Sequence, residues 1–389
     1  MDFVRRTWAE ISLDSIIHNY KAIKACVSSK CRIMAVVKAD GYGHGALPVA
    51  HQLKEQGADY FGVSNIEEAI ALRKGGISDD ILILGYTPSK NVTDLFEYSI
   101  TQTVFSHSYA KELSAAAKKA DVRIKAHLKL DTGMARLGFI YYSENDLLDE
   151  ACEALSLENL YFEGIFTHFS SSDSPSAKDE TENQFMLFNS AVKSLCQKGF
   201  SFQYRHCCNS GAILDFPNMH LDMVRPGVIL YGLLPSSEIK NKLDLKPSMA
   251  LKTAISQIKT VDSGVRVSYG GTYETDKKTV LATLPIGYAD GFFRAMSNKG
   301  FVLIGGKPAP IVGRICMDQM LVDITQNPDC SDKTVATVIG TDGGGQILAE
   351  DLARLSGTIN YEIVCDIGKR VPRIYIKDGK ETEILNYIV

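Results

Sequence analysis

Short apolar runs recur along the first two thirds of the chain, separated by segments with a helical apolar period. They fall at Ile33–Val37, Tyr60–Val63, Ile81–Leu84, Gln102–Phe105, Ile124–Leu130, Tyr161–Thr167, Tyr204–Cys208 and Met223–Tyr231. A continuous apolar run bounded by turn residues reads as a strand buried on both faces. Ser12 is placed to cap a helix over Leu13–Val27, where Ile16, Ile17, Tyr20 and Ile23 share one face. A later helix is predicted to open with a capping box from Ser64 to Glu67 and to end at Gly75-Gly76. Eight strands alternating with helices over roughly 250 residues predict a (β/α)8 barrel. A doubly wound open sheet is the alternative. It would carry GxGxxG after its first strand, and GYGHGA does not match that spacing.

The texture then changes. Leu234 to Pro247 is polar and bracketed by prolines, as a linker is. From Met249 to Thr325, apolar and polar positions alternate with Gly and Pro between the runs, and one short helical pattern follows at Ile347–Leu355. The expected fold class is therefore α/β: an N-terminal TIM-type (β/α)8 barrel over residues 1–240, then a mainly β domain over 241–389. The first strand, residues 6–12, is expected to pair into the second domain. ENLYFEG, Glu158 to Gly164, lies inside a strand pattern and reads as native sequence.

A chain of 389 residues is long for a single core, which agrees with two domains. Hydrophobic content of 45% and charged content of 23% are those of an ordinary globular protein. The net charge is -4, with no long basic run, which argues against a nucleic-acid partner. No apolar stretch approaches a bilayer span, and MDFVRRTWAE lacks a signal-peptide core, so a cytoplasmic protein with no membrane partner is expected. Nine cysteines, none in a CxxC pair, suggest reduced thiols and no metal site.

Reactive groups gather at the ends of the expected strands, where a barrel carries its site. The first ends in Lys38, followed by Gly41, Tyr42, Gly43, His44 and Gly45. A lysine at the tip of a buried strand either snorkels to water or presents an amine to a cleft. Burial favours the neutral amine, which can form a Schiff base with an aldehyde or act as a base. The fifth strand ends in Lys129, Asp131 and Arg136, and the sixth in His168. The seventh ends in His206, Asn209 and Ser210, and the eighth carries Arg225, Pro226 and Gly227. Each alone has a structural explanation. Together, at one mouth, they are hard to attribute to packing.

Several of these stretches carry a resemblance. AVVKADGYGHG, LDTGMARLG, THF, NSG, MVRPGVILYG, VSYGGTY, PIGYADG, GRICMDQM and GTINYEI resemble alanine racemase, the fold type III family dependent on pyridoxal 5′-phosphate (PLP). The likeness covers nearly the whole chain, with the motifs in the family's order. It implies a barrel followed by a β-rich domain, PLP as cofactor, alanine as substrate, and D-alanine supply for peptidoglycan. By that resemblance, Lys38 holds the cofactor and serves as one base, and Tyr269 is the second base, contributed across a homodimer with shared active sites. A phenol of unperturbed pKa about 10 needs cationic neighbours to act as a base near neutrality; His168, Arg225 and His206 are the candidates.

The same resemblance places Arg225 at the pyridine nitrogen. It gives the phosphate to Tyr42, Ser210, Tyr361 and the backbone N–H groups of Gly227 and Val228, with Asn209 beside them. Arg136, Met317 and Asp318 would meet the substrate, and Lys129 matches a position carbamylated in many members. Asp173, Tyr288, Arg294, Arg314 and Ile359 match the approach corridor. Tyr361 favours alanine, since an asparagine there would suggest a serine-preferring relative. Two departures are local: Cys207-Cys208 replaces a smaller pair, and Tyr86 stands where some relatives have tryptophan. The rival expectations are a serine or broad-specificity racemase, a PLP-binding homeostasis protein without activity, and a PLP decarboxylase, which would place a carboxylate where this chain has Arg225.

Overall fold

The computed structural model describes residues 5–142, 148–332 and 334–388; the first four residues of the N-terminal stretch MDFVRRTWAE lie outside the described residues. The chain divides into two compact units. One comprises Ile16–Gly41 and Ala46–Lys246; the other takes residues up to Ser15, Tyr42–Gly45 and Pro247 onward.

The first unit is a closed parallel barrel. Its strands run in the order Thr101–Val104, Asp80–Ile83, Tyr60–Val63, Arg32–Val36, Met223–Val224, Tyr204–His206, Leu160–Phe166 and Ile124–Asp131. Ile124–Asp131 pairs back onto Thr101–Val104, with Val104 opposite Leu128, which closes the ring of eight; Phe139–Ile140 is a short ninth strand beside Leu130 and Asp131. Met34, Tyr60, Leu82, Phe166, Tyr204 and Met223, one from each of six strands, form a buried cluster. Such layers fill a barrel interior, and each large apolar side chain removed from water contributes about 2 kcal/mol. No helix among the described residues is long and apolar enough to cross a membrane.

Two local expectations are corrected. The run Met223–Tyr231 is a strand only over Met223–Val224, and Val228–Tyr231 forms a 3-10 turn. Pro226 has no N–H to give a ladder, and Gly227 departs from extended backbone at φ −116°, ψ −97°. The capping box is shifted by one residue. Asn65 is the cap, accepting from the Glu68 N–H at 2.9 Å, while Glu68 Oε2 accepts from the Ser64 N–H at 2.7 Å. Ser12 does cap its helix, Leu13–Cys26, accepting from the Ser15 N–H at 3.1 Å.

The second unit is mostly β. Its largest sheet includes Val335–Asp342, Met249–Ala254, Thr7–Ser12 and Arg373–Lys377 as neighbours. Thr7–Ser12 runs antiparallel to Met249–Ala254 and parallel to Arg373–Lys377. A smaller sheet holds Gln257–Val261, Thr279–Leu284 and Met320–Asp323. The helix expected over Ile347–Leu355 is present as Ala349–Ser356, with Ile347 ending a strand instead, and a further helix, Asn360–Cys365, follows it. Gly357, at φ 76°, stops the first helix with a left-handed residue.

Candidate active site

Lys38 follows the first barrel strand, and the chain after it turns the uncommon way. Ala39, Asp40, Gly41 and Tyr42 have φ of 52°, 53°, 61° and 53°, a full left-handed turn in which three residues are not glycine. Each such residue costs about 1–2 kcal/mol, so the surroundings must hold it. The Gly41 N–H donates to the Val37 carbonyl at 2.8 Å, and the Ala39 N–H to Glu68 Oε1 at 2.7 Å. Asp40 Oδ1 accepts from the Ala46 N–H at 2.9 Å, and the Tyr231 hydroxyl donates to the Val36 carbonyl at 3.1 Å. Backbone strain held this firmly is typical of a functional site. Within the second unit, Gly43 at φ 79° packs so tightly on the Val364 carbonyl that a Cβ would overlap it.

A cationic cluster lines the same barrel. Arg225 is buried, with Nη2 donating to the carbonyls of Thr167 at 2.9 Å and Cys207 at 3.0 Å. It also meets His206 Nδ1 at 2.9 Å and His168 Nδ1 at 3.2 Å. Burial pulls Arg225 down to about 10, which leaves it charged at neutral pH. Burial first, and then the Arg225 charge, holds His168 and His206 far below the usual imidazole range, so both rings are neutral. Lys129 is buried beside them, donating to the Leu130 carbonyl at 2.9 Å, and burial followed by Arg225 lowers it to about 7. Arg136 lies exposed beyond the turn that Asp131 holds by accepting from the Gly133 and Ala135 N–H groups.

Two sets of anion donors assemble, each within its own unit. In the barrel, the Gly227 N–H meets Ser210 Oγ at 3.0 Å, and Val228 follows at the start of its 3-10 turn. Asn209 caps the short helix Ser210–Asp215, accepting from the Ala212 N–H at 3.1 Å, and accepts from Ser172 Oγ at 2.7 Å. In the second unit, the rings of Tyr42 and Tyr361 lie 6.1 Å apart. Burial raises the Tyr42 phenol, which therefore stays a proton donor. Hydroxyls and amides that do not titrate suit a phosphate, and an amine at a strand end suits an aldehyde. Each set on its own is of the kind that fits the phosphate of PLP.

Three loops of the second unit come together around Tyr269. Ser268, itself at φ 61°, donates from Oγ to the Arg314 carbonyl at 2.6 Å and lies 3.4 Å from Cys316 Sγ. The Tyr288 and Ala289 N–H groups donate to the carbonyls of Cys316 and Met317 at 3.1 and 3.0 Å. The loops present Tyr269, Tyr288 and Met317, which are 71%, 43% and 52% exposed. Asp318 pairs with Arg370 at 2.8 Å. Ile359 is also largely exposed.

Sequence reasoning missed two buried residues of the barrel, His127 and Glu163. His127 Nδ1 lies 2.9 Å from His206 Nε2, and Glu163 accepts from Thr101 Oγ1 at 3.0 Å. The only available signal was polarity inside apolar runs.

A closed barrel with a strand-end lysine, neutral histidines around a buried arginine, and phosphate donors defines a PLP-dependent barrel enzyme. Family models support this: the alanine racemase N-terminal domain matches residues 11–235, and the alanine racemase C-terminal domain matches 248–375. The chain belongs to the alanine racemase family. It is 46% identical to alanine racemase 1 of Clostridium acetobutylicum over 386 residues, 99% of each chain. Alanine racemase of Clostridium difficile 630 superposes with a TM-score of 0.95 at 40% identity, covering all of both chains. The Bacillus anthracis enzyme, solved with bound L-Ala-P, does so at 0.94 and 36%, covering 100% of this chain and 99% of that one. The likeness spans both domains, so neither a non-catalytic PLP-binding protein nor a decarboxylase is favoured.

Proposed function

We propose that this chain interconverts L- and D-alanine with PLP, using Lys38 on one face of the substrate and Tyr269 of the partner subunit on the other. Bound PLP supplies an aldehyde carbon and an electron-withdrawing ring that acidify the substrate's Cα–H. Lys38 would hold the cofactor through Nζ, and the same amine takes the proton from one face of Cα. The Tyr269 hydroxyl delivers a proton to the other face, and the roles exchange in the reverse direction. Arg225 would face the pyridine nitrogen; its guanidinium keeps its protons, so it would donate to that nitrogen and leave it unprotonated. The buried Arg225, in contact with His206 Nδ1 at 2.9 Å and His168 Nδ1 at 3.2 Å within the barrel that carries the strand-end Lys38, supports this.

Tyr42, Ser210, Tyr361 and the Gly227 and Val228 N–H groups hold the phosphate, with Asn209 orienting the helix start. Arg136 takes the substrate carboxylate as a bidentate fork, with the Met317 and Asp318 backbone beside it. Lys129 carries a carbamate that turns a cation into an anion next to Arg136. Tyr269, Tyr288 and Met317 stand exposed on one side of the second unit, which supports a head-to-tail homodimer that completes each site from the other chain. Asp173, Arg294, Arg314 and Ile359 line the approach. The enzyme is cytoplasmic and supplies D-alanine for cell-wall peptidoglycan.

The test is turnover of a panel of L-amino acids by holoenzyme, read as D-isomer formed. Alanine is expected to react fastest, with serine slow. Absence of D-alanine would overturn the reading, and faster serine turnover would shift it to a serine racemase.

A further inference from the structure

Behind Arg225, away from the residues assigned to the cofactor's phosphate, the barrel interior contains an unbroken line of polar side chains. His206 Nδ1 meets Arg225 Nη1 at 2.9 Å, and His206 Nε2 meets His127 Nδ1 at 2.9 Å. His127 Nε2 faces the Tyr60 hydroxyl at 3.2 Å and Glu163 Oε1 at 3.7 Å. Glu163 also accepts from Thr101 Oγ1 at 3.0 Å and lies 3.8 Å from Lys125. His206, His127 and Thr101 are fully buried, and Glu163 nearly so.

The protons on this line can be arranged in only one way. An arginine has donors and no acceptor, so His206 Nδ1 must accept. The one proton of a neutral His206 therefore sits on Nε2 and is given to His127 Nδ1. His127 must carry its proton on Nε2, where the Tyr60 hydroxyl at 3.2 Å is its hydrogen-bond partner and the Glu163 carboxylate, 3.7 Å away, attracts it by charge.

Local structure is built for this line. The strand Leu160–Phe166 has a register shift opposite Ala126 and His127, so that His127 pairs with Gly164 and Glu163 is the extra residue. Bulges re-aim side chains, and this one turns a glutamate into the barrel. A Cβ at Gly164 would lie 2.5 Å from the His127 ring, so only glycine leaves room for it. Phe166 stacks on His206 at 4.7 Å between centroids and 5° between planes, which fixes the ring plane while His127 fixes its edge.

We propose that Glu163 and His127 are positioning residues that act through His206 to hold the Arg225 guanidinium in place as a fixed donor to the cofactor ring. This rests on the reading above that Arg225 faces the pyridine nitrogen. Loss of the far anchor lets the His206 tautomer change and the guanidinium drift, and water then reaches the ring nitrogen. If that water protonated the nitrogen of bound PLP, the more strongly withdrawing ring would take the proton at the cofactor's own carbon in place of Cα; water would then cleave the product to pyruvate and leave the amino group on the cofactor as pyridoxamine phosphate.

The first readout is the 15N spectrum of histidine-labelled wild-type holoenzyme. His206 and His127 are expected to be neutral and protonated on Nε2; a proton on His206 Nδ1 overturns the proposal. The second is pyruvate formed per racemisation event. Glu163→Ala and Gly164→Ala are expected to raise it on the order of tenfold, the size typical when the partners orienting a site histidine are removed, with the alanine KM within about twofold of wild type. Glu163→Gln, which keeps an acceptor oxygen, is expected to return the ratio close to wild type. A folded Glu163→Ala with an unchanged ratio overturns the proposal, and if the variants do not fold, the wild-type spectrum decides. Failure of the wild type to racemise alanine would overturn the assigned activity instead, and the tautomer measurement does not depend on that activity.

Discussion

Arg370 pairs with Asp318 at 2.8 Å, and the same guanidinium holds the buried Asp290 at 3.2 Å. Asp290 also takes Arg6 at 2.6 Å and caps the Gly287 N–H at 3.0 Å. The loop that presents Met317 is thus tied through one guanidinium to a buried carboxylate. Removing a buried partner leaves charges uncompensated, at roughly 3–5 kcal/mol. Arg6 and Arg370 are about a third exposed, which moderates the loss. Asp290→Ala is expected to lower stability by about 3 kcal/mol in urea unfolding and to raise the alanine KM several-fold, because the Met317 backbone is displaced. An unchanged urea midpoint would refute the coupling.

Tyr269 stands largely exposed on the second unit. On the proposed two-base scheme, Tyr269 is needed in both directions. Tyr269→Phe is expected to lower kcat by about 10²–10⁴-fold for L-to-D and D-to-L turnover, while cofactor binding is retained. Solvent deuterium should still exchange into Cα from the Lys38 face. Wild-type rates in either direction would refute the two-base scheme.

Lys129 supplies a pH test whose direction follows from its lowered pKa of about 7. Below that pH the amine is protonated and cannot attack carbon dioxide; above it the amine is neutral and can. A 13C signal from labelled bicarbonate is expected to grow as pH rises through about 7. It should vanish in Lys129→Ala. A flat response across that interval would remove the carbamate.

On the proposed placement of Arg225 at the pyridine nitrogen, Arg225→Glu offers that nitrogen a group that can share a proton with it. Pyruvate per racemisation event is expected to rise at least about tenfold, the scale of a change of roughly 1.4 kcal/mol in relative barriers. Stopped-flow racemisation with coupled pyruvate detection measures both. A ratio equal to wild type would show that Arg225 does not control the ring.

Much of the architecture was legible along the chain. Apolar runs such as Ile33–Val37 and Tyr60–Val63 read as strands because both of their faces are buried, and their spacing required crossovers. The alternation after Met249 marked a change to sheets with one buried face. What escaped was local. Asn65 displaced Ser64 as a cap because cap geometry depends on one residue's backbone angles. The helix Asn360–Cys365 was too short to show a period.

Residue type and order by themselves determined the barrel, the β-rich second unit, the lysine at the first strand's end and the kinship to a family of racemases. Side-chain periodicity and motif chemistry are local properties, and they survive in one dimension. Only the folded chain decided that Ala39, Asp40 and Tyr42 twist left-handed beside Lys38. The same holds for the neutrality of His168 and His206, and for the bulge that aims Glu163 at His127. Burial, register and the field of an arginine remote along the chain depend on which strands become neighbours, and strand neighbours are set by closure of the barrel as a whole.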